Sequence, residues 1–208
     1  MNIWANHITN LTDGRYFAAY NAAWISFCFN PESPDFIAPN VAVGIAGWLE
    51  GPQMAGSFGR QQTDDDIRNM AESLNLQAVV LNIEHDATTL EDLPVFWEIS
   101  TKQLDDDFEN LLSLVANKAF ATCFILHFET QKTTFNDFFE TQKAAFEALK
   151  QATEQASFYL KMNFEATDLR LIAQELPHLQ GIVLQGGEEE AVGIKSFDEL
   201  DEIMTYFE

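Results

Sequence analysis

The sequence predicts an α/β protein, a single (β/α)8 (TIM) barrel over residues 1–208. Two observations carry that expectation. Short runs that are apolar on both faces alternate with longer segments of helical period, which implies a parallel sheet covered by helices. The alternation also repeats eight times, about 26 residues per unit in a chain of 208, and eight is the number that closes a barrel. An open doubly wound sheet is the rival, but no glycine-rich dinucleotide fingerprint follows the first strand.

The expected elements run in this order. Asn2 to Asn6 is a strand, and Thr12 caps a helix to Tyr20 with Asp13 at its positive end. Trp24 to Phe29 is a buried strand and Asn40 to Leu49 a short helix. Ala55 to Phe58 is a weaker strand; Thr63 then caps a helix whose first turn holds Asp64, Asp65 and Asp66, with Ile67, Met70, Ala71 and Leu74 on one face. Ala78 to Leu81 is a strand, Thr88 to Leu93 a short helical turn, and Val95 to Ile99 the fifth strand. A helix from Leu104 to Ala116 follows, its N-terminal dipole accounting for Asp105 to Asp107. Phe120 to Leu126 is the longest strand, and Phe135 to Thr153 one strong helix with Phe138, Ala145, Phe146 and Leu149 inward. Phe158 to Met162 and Gly181 to Leu184 are the last strands, and Thr167 to Leu176 and Ser196 to Phe207 the last helices.

Composition narrows the function classes. The chain carries 33 acidic against 11 basic residues, a formal charge of −22. Such a field repels phosphate polyanions, so neither nucleic acid nor an anionic membrane surface is an expected partner. With 18 Phe, 4 Trp and 4 Tyr, the acidity does not mean disorder. Cys28 and Cys123 lie in apolar runs and read as small buried hydrophobes. No secretory signal and no apolar run near the roughly 20 residues of a membrane span are visible, so the cytoplasm is the expected compartment.

Functional groups of a barrel sit where its strands end. The first strand ends Trp4-Ala5-Asn6-His7-Ile8-Thr9, followed by Asn10 to Tyr16; the second leads through Asn30 to Pro31-Glu32-Ser33-Pro34-Asp35-Phe36-Ile37. The last strand runs Gly181-Ile182-Val183-Leu184-Gln185-Gly186-Gly187-Glu188-Glu189, with Gly193-Ile194-Lys195 beyond. In order and spacing these stretches resemble phosphoribosylanthranilate isomerase, whose opening pattern is Lys-x-Cys-Gly-(Ile/Leu)-Thr. The resemblance implies a barrel of that family, and an Amadori rearrangement in which an acid opens the ribose ring and a base moves the C2′ proton.

The same resemblance shows what is missing. Asn6 stands at the family's cysteine base, and a carboxamide accepts no proton near neutral pH. His127 stands at the aspartate acid and is able to take over acid or base work. Asp35 replaces an arginine, and Trp4 a lysine. The family's glycines after strand seven are absent from Leu160 to Glu165, and the glycine-rich stretch after strand six is replaced by Glu129 to Thr134. Gly186 and Gly187 remain as a backbone anion nest, but Glu188, Glu189 and Glu190 follow directly. A phosphate about 6 Å from one such carboxylate feels roughly 3 kcal/mol of repulsion at an effective dielectric near 20. Only Lys161 and Lys195 are nearby cations.

The expected function is therefore a divergent barrel of that type, without the usual Amadori activity, binding a small molecule at its mouth or a basic protein partner. The alternative is an active isomerase of tryptophan biosynthesis, or a related sugar isomerase, using His127 with a relocated base such as His85. His7, Asp35, Asn82, Asn163, Gln185, Gly186 and Gly187 are the candidate ligand-binding residues; the plain reading is solvated strand ends. Glu84-His85-Asp86 reads as a solvated loop. Trp4 and Trp97 fill the barrel or stack on a flat ligand. His7 and His127 with Glu98 or Glu129 are ordinary metal ligands by type, but no spacing groups them, so neither a metal nor a cofactor is expected.

Overall fold

The computed structural model describes all residues except Thr88, 119–120, 130–132, Glu188, 192–193 and Glu208. Eight parallel strands close on themselves in sequence order, β1 to β8, with β8 pairing β1 over Asn2↔Gly181 to Asn6↔Gln185. The strands are β1 Asn2–Asn6, β2 Trp24–Cys28, β3 Gln53–Ser57, β4 Ala78–Asn82, β5 Val95–Ser100, β6 Ala121–His127, β7 Phe158–Lys161 and β8 Gly181–Gln185. Around them lie α1 Leu11–Ala19, α2 Pro39–Ala46, α3 Asp64–Ser73, α4 Leu111–Ala116, α5 Phe135–Thr141, α6 Lys143–Gln155, α7 Asp168–Glu175 and α8 Asp198–Met204. Two short strands, β9 Glu189–Ala191 and β10 Ile194–Lys195, form an antiparallel pair before α8 that the sequence reading lacked. Among the described residues no helix is long and apolar enough to cross a membrane.

Alternation along each strand sorts the side chains into two cores. One set, including Ile3, Ile25, Val79, Trp97, Phe124, Leu160 and Ile182, faces the helices. The other, Trp4, Ala55, Ala78, Val80, Phe96, Cys123, Ile125, Tyr159 and Val183 with Trp24 against it, fills the barrel. Trp4 thus plugs the barrel, fully buried. Trp97 does not: it faces outward, with Lys118 Nζ 4.0 Å from its ring centre. Trp24 takes the inner place, stacked on Trp4 at 5.4 Å. Both cysteines are free and buried, and burial raises the Cys123 thiol to about 12.

Several boundaries were moved by side-chain hydrogen bonds and packing. Asn10, not Thr12, caps α1, its side chain accepting from Asp13 N at 2.9 Å. The turn expected before Leu93 is not helical in its described part, because Thr89 N and Oγ1 both donate to Asp64 Oδ2, at 3.1 and 2.7 Å. The helix expected from Leu104 starts at Leu111. Phe108 is drawn into the core beside Phe138, 5.9 Å between rings, and its φ of 56° breaks the helix there. Asp105 to Asp107 consequently lie in a turn, not on a helix N-terminus. The long helix expected from Phe135 is split at Gln142, where the Thr141 hydroxyl donates to Asp137 O at 2.6 Å and competes with the helix ladder. The expected strand start at Phe120, the helix start at Thr88, the 130–132 stretch, Glu188 and Gly193 lie outside the described residues.

The α3 cap is as expected. Thr63 Oγ1 accepts from Asp66 N at 3.2 Å and Asp66 Oδ2 accepts back from Thr63 N at 3.3 Å, a reciprocal capping box. Thr63→Ala is expected to cost about 1 kcal/mol of unfolding free energy in urea titrations, with no change at the barrel mouth.

Candidate functional site at the barrel mouth

The inward positions at the C-terminal strand ends are polar: Asn6, Ser26, Ser57, Asn82, Glu98, His127, Lys161 and Gln185. Below them the barrel is plugged by aromatic rings, so the mouth is a shallow polar floor over a packed interior.

On the β1–β3 side a chain of hydrogen bonds runs through Ser26. Its hydroxyl lies 3.1 Å from Trp4 Nε1, 3.2 Å from the His7 amide and 3.1 Å from Asn6 Oδ1. A hydroxyl has one hydrogen and two lone pairs. The two N–H groups occupy the lone pairs, so the hydrogen goes to Asn6 and fixes which way its carboxamide faces. Asn6 Nδ2 is left buried without a partner among the described residues. Next in the chain, His7 has a φ of 51°, and this turn brings its ring between two other segments. Its Nδ1 is 2.9 Å from Asp35 Oδ2, and its Nε2 is 2.9 Å from Ser57 Oγ. The hydrogen bond from His7 holds the Asp35 carboxyl below its usual value, and the positive charge of Lys161 across the mouth adds to this.

On the opposite side Glu98 Oε1 receives both Lys161 Nζ at 2.9 Å and His127 Nδ1 at 3.1 Å. Burial opposes ionisation of Glu98. The Lys161 charge and the hydrogen bonds of His127 and Lys161 outweigh it, holding the carboxyl well below the usual carboxylate range. Lys161, one of the two cations expected near a phosphate, is therefore committed to a carboxylate, and the side chain of the other, Lys195, lies outside what the structure describes.

The remaining candidates are dispersed. Asn82 Oδ1 accepts from Arg60 Nη2 at 3.2 Å, Gln103 Nε2 at 3.1 Å and the Glu84 amide at 3.0 Å, tying three loops together. His85 bonds Asp64 at 3.2 Å, and its side chain is nearly buried. It is a latch between the β4–β5 loop and α3, rather than a freely solvated loop residue. Glu129 pairs with Lys102 and Ser100 instead of the histidines. Asn163 and Gln185 are exposed at the ends of β7 and β8. Among the described residues no three His, Cys, Asp or Glu side chains come together as a metal-binding group.

Gly186 and Gly187 are pressed against the protein's own groups. A Cβ on Gly186 would stand 2.3 Å from Asp13 Oδ2, and one on Gly187 would stand 2.2 Å from the Ser196 carbonyl. Asp13 is itself buried, its Oδ2 accepting from Asn10 Nδ2 at 2.7 Å. A carboxylate thus lies where a side chain at Gly186 would go, which puts a negative charge beside the glycine pair. Sequence reasoning missed Ser26, Ser57 and the role of Asp13. Ser57 sits on the strand read as weak, and only the parity of positions within β3 marked it as inward-facing.

Among the described residues, two clefts that open on the rim are both bordered by residues outside the polar floor. One of about 520 Å³ is bordered by Asp105 to Asp107, Phe108, Phe128 and Lys143; another of about 390 Å³ lies between Arg60 to Asp64 and Glu84 to Asp86.

No protein-family model and no curated protein matches the sequence. Solved structures do match. The phosphoribosyl anthranilate isomerase of Thermotoga maritima superposes with a TM-score of 0.76 at 17% identity, over 99% of this chain and 97% of that one. The enzyme of Thermococcus kodakaraensis gives 0.74 at 13%, over 98% and 97%, and that of Thermus thermophilus 0.72 at 20%, over 99% and 97%. A 3-hexulose-6-phosphate synthase gives 0.66 at 10%, over 99% of both chains. Identity this low establishes architecture and not chemistry. The chain has the fold of the phosphoribosylanthranilate isomerases, end to end.

Proposed function

We propose that this barrel binds a small uncharged or cationic molecule at its C-terminal mouth and does not carry out the Amadori rearrangement. The observation that carries the reading is the Asp13 carboxylate packed against Gly186, with the Asn6 carboxamide beside it at the end of β1. Where the isomerase resemblance needs a base stands a carboxamide whose oxygen already accepts from Ser26. Where it needs a phosphate cradle, the Asp13 carboxylate is packed against Gly186. A phosphate placed there would meet a buried anion, and one candidate cation, Lys161, is paired with Glu98. A ligand without negative charge meets neither obstacle. Asp35, Ser57, Asn82, Asn163 and Gln185 supply polar edges around it. The charge of −22 leaves a basic protein as a second class of partner, docking on the outer surface in the cytoplasm.

A second reading, a sugar isomerase working through His127, is favoured by one feature: His127 shares Glu98 with Lys161, a half-buried cluster suited to handling protons. Purified protein incubated with phosphoribosylanthranilate is expected to consume none above the uncatalysed rate. Inorganic phosphate at up to ~10 mM is expected to leave the melting temperature unchanged, whereas phosphate bound to the folded chain would raise it. Turnover that His127→Ala abolishes would sink the first reading and install the second.

A further inference from the structure

We propose that Ser57, His7 and Asp35 act as nucleophile, base and positioning residue in the cleavage of small carboxylic esters, with Asn6 Nδ2 donating to the oxyanion. This rests on the mouth being a small-molecule site.

The geometry is a directed relay. A carboxylate only accepts, so the 2.9 Å contact with Asp35 puts the His7 hydrogen on Nδ1. Nε2 then presents its lone pair to the Ser57 hydroxyl, also at 2.9 Å. The competing acceptor for that hydroxyl, Phe27 O, is more distant at 3.5 Å. Nucleophile, base and orienter in hydrogen-bond series are the parts an activated serine needs, whatever the fold around them. Here they come from the end of β1, the loop after β2 and the end of β3, three neighbouring segments of the barrel.

Two independent features point the same way. His7 is held at a φ of 51°, in the left-handed region that non-glycine residues seldom adopt and that recurs at functional sites. Asn6, its chain neighbour, carries the buried Nδ2 that Ser26 has turned away and nothing described accepts from. A carboxamide N–H waiting in a dry site stabilises an oxyanion better than it stabilises a neutral carbonyl. Ser57 is 8% exposed, so the acyl group must be small. The acidic field selects neutral or cationic esters.

The chemistry closes without a cofactor. Ser57 Oγ bonds to the carbonyl carbon as its proton passes to His7 Nε2. The ester C–O bond then breaks, and the departing alcohol takes that proton. Water next attacks the acyl-serine, giving a proton to His7, which returns it to Ser57 Oγ as the carboxylic acid leaves.

The test is covalent labelling of the full chain with a fluorophosphonate, in which the Ser57 Oγ–P bond forms as fluoride departs, followed by peptide mass spectrometry. The expected adduct is on Ser57. Hydrolysis of p-nitrophenyl acetate should fall about 100-fold or more in Ser57→Ala. Asn6→Ala should lower kcat roughly 100-fold with KM little changed. His7→Gly suits the positive φ and leaves a hole, so free imidazole should restore part of its lost rate. Asp35→Asn should slow labelling at least about tenfold while the melting temperature falls only slightly, and Asp35→Glu should recover part of the labelling rate. Folded wild-type protein that takes no label, takes it at another residue, or hydrolyses the ester equally well as Ser57→Ala overturns the relay. Absence of label together with absence of isomerase turnover removes the relay alone and leaves the ligand-binding reading standing.

Discussion

Trp4→Ala is expected to be the most damaging single substitution in the barrel interior, lowering stability by about 3–5 kcal/mol. Trp4 is fully buried and central to the inner core. Its ring stacks on Trp24 and meets the edges of Phe96 at 4.8 Å and Tyr159 at 5.4 Å. Truncation leaves a void that eight hydrogen-bonded strands cannot collapse to fill, so lost contact and residual cavity both count. The substitution also frees a Ser26 lone pair, which loosens the Asn6 carboxamide held by the same hydroxyl. At this chain length the melting temperature should fall by roughly 10 °C, as read by calorimetry. Trp4→Phe keeps most of the packing but loses the Nε1–H, so it isolates the hydrogen bond. A fall of only a degree or two in Trp4→Ala would mean that the inner core is looser than its ring contacts indicate.

Glu98→Ala is expected to come second, at about 3 kcal/mol, because it removes one partner of a partly buried ion cluster. Lys161, with 14% of its side chain exposed, would lose its only ion-pair partner among the described residues. Glu98→Gln keeps the shape and one acceptor, and should cost less. The pH dependence has a definite sign. Glu98 ionises more readily in the folded chain than at its ordinary value of 4.5. The stability it contributes is therefore whole above that value and is lost as pH falls through the depressed folded value. Asp35 and Asp64 are shifted in the same direction, Asp35 by the His7 hydrogen bond and Asp64 by those from Thr89 and His85, which outweigh its burial. Urea unfolding of wild type and Glu98→Gln between about pH 3 and pH 7 should show the gap closing on the acid side. A gap that widens toward acid would reverse the assignment.

Much of the fold was legible in the sequence because strands apolar on both faces and amphipathic helices are local patterns. Each of the eight strands appears within about two residues of its expected place. Misreadings cluster where a distant side chain outcompeted local propensity: Phe108 packing on Phe138, Asp64 binding Thr89, and Trp97 turned outward while Trp24 turned in. The candidate site was legible in part. His7, Asp35, Asn6 and His127 do lie at the mouth, but sequence alone did not pair them.

The sequence by itself determined the barrel and its acidic field, since both follow from residue type and periodicity; that a base is wanting at Asn6 was implied only by the resemblance to phosphoribosylanthranilate isomerase. Only the tertiary structure decided that His7 bridges Asp35 and Ser57, that Lys161 is committed to Glu98, and that Asp13 lies against Gly186. These contacts span 28, 50, 63 and 173 residues along the chain. Closure of the sheet brings such positions together, and no local pattern encodes a distance between groups that meet only once the barrel is shut.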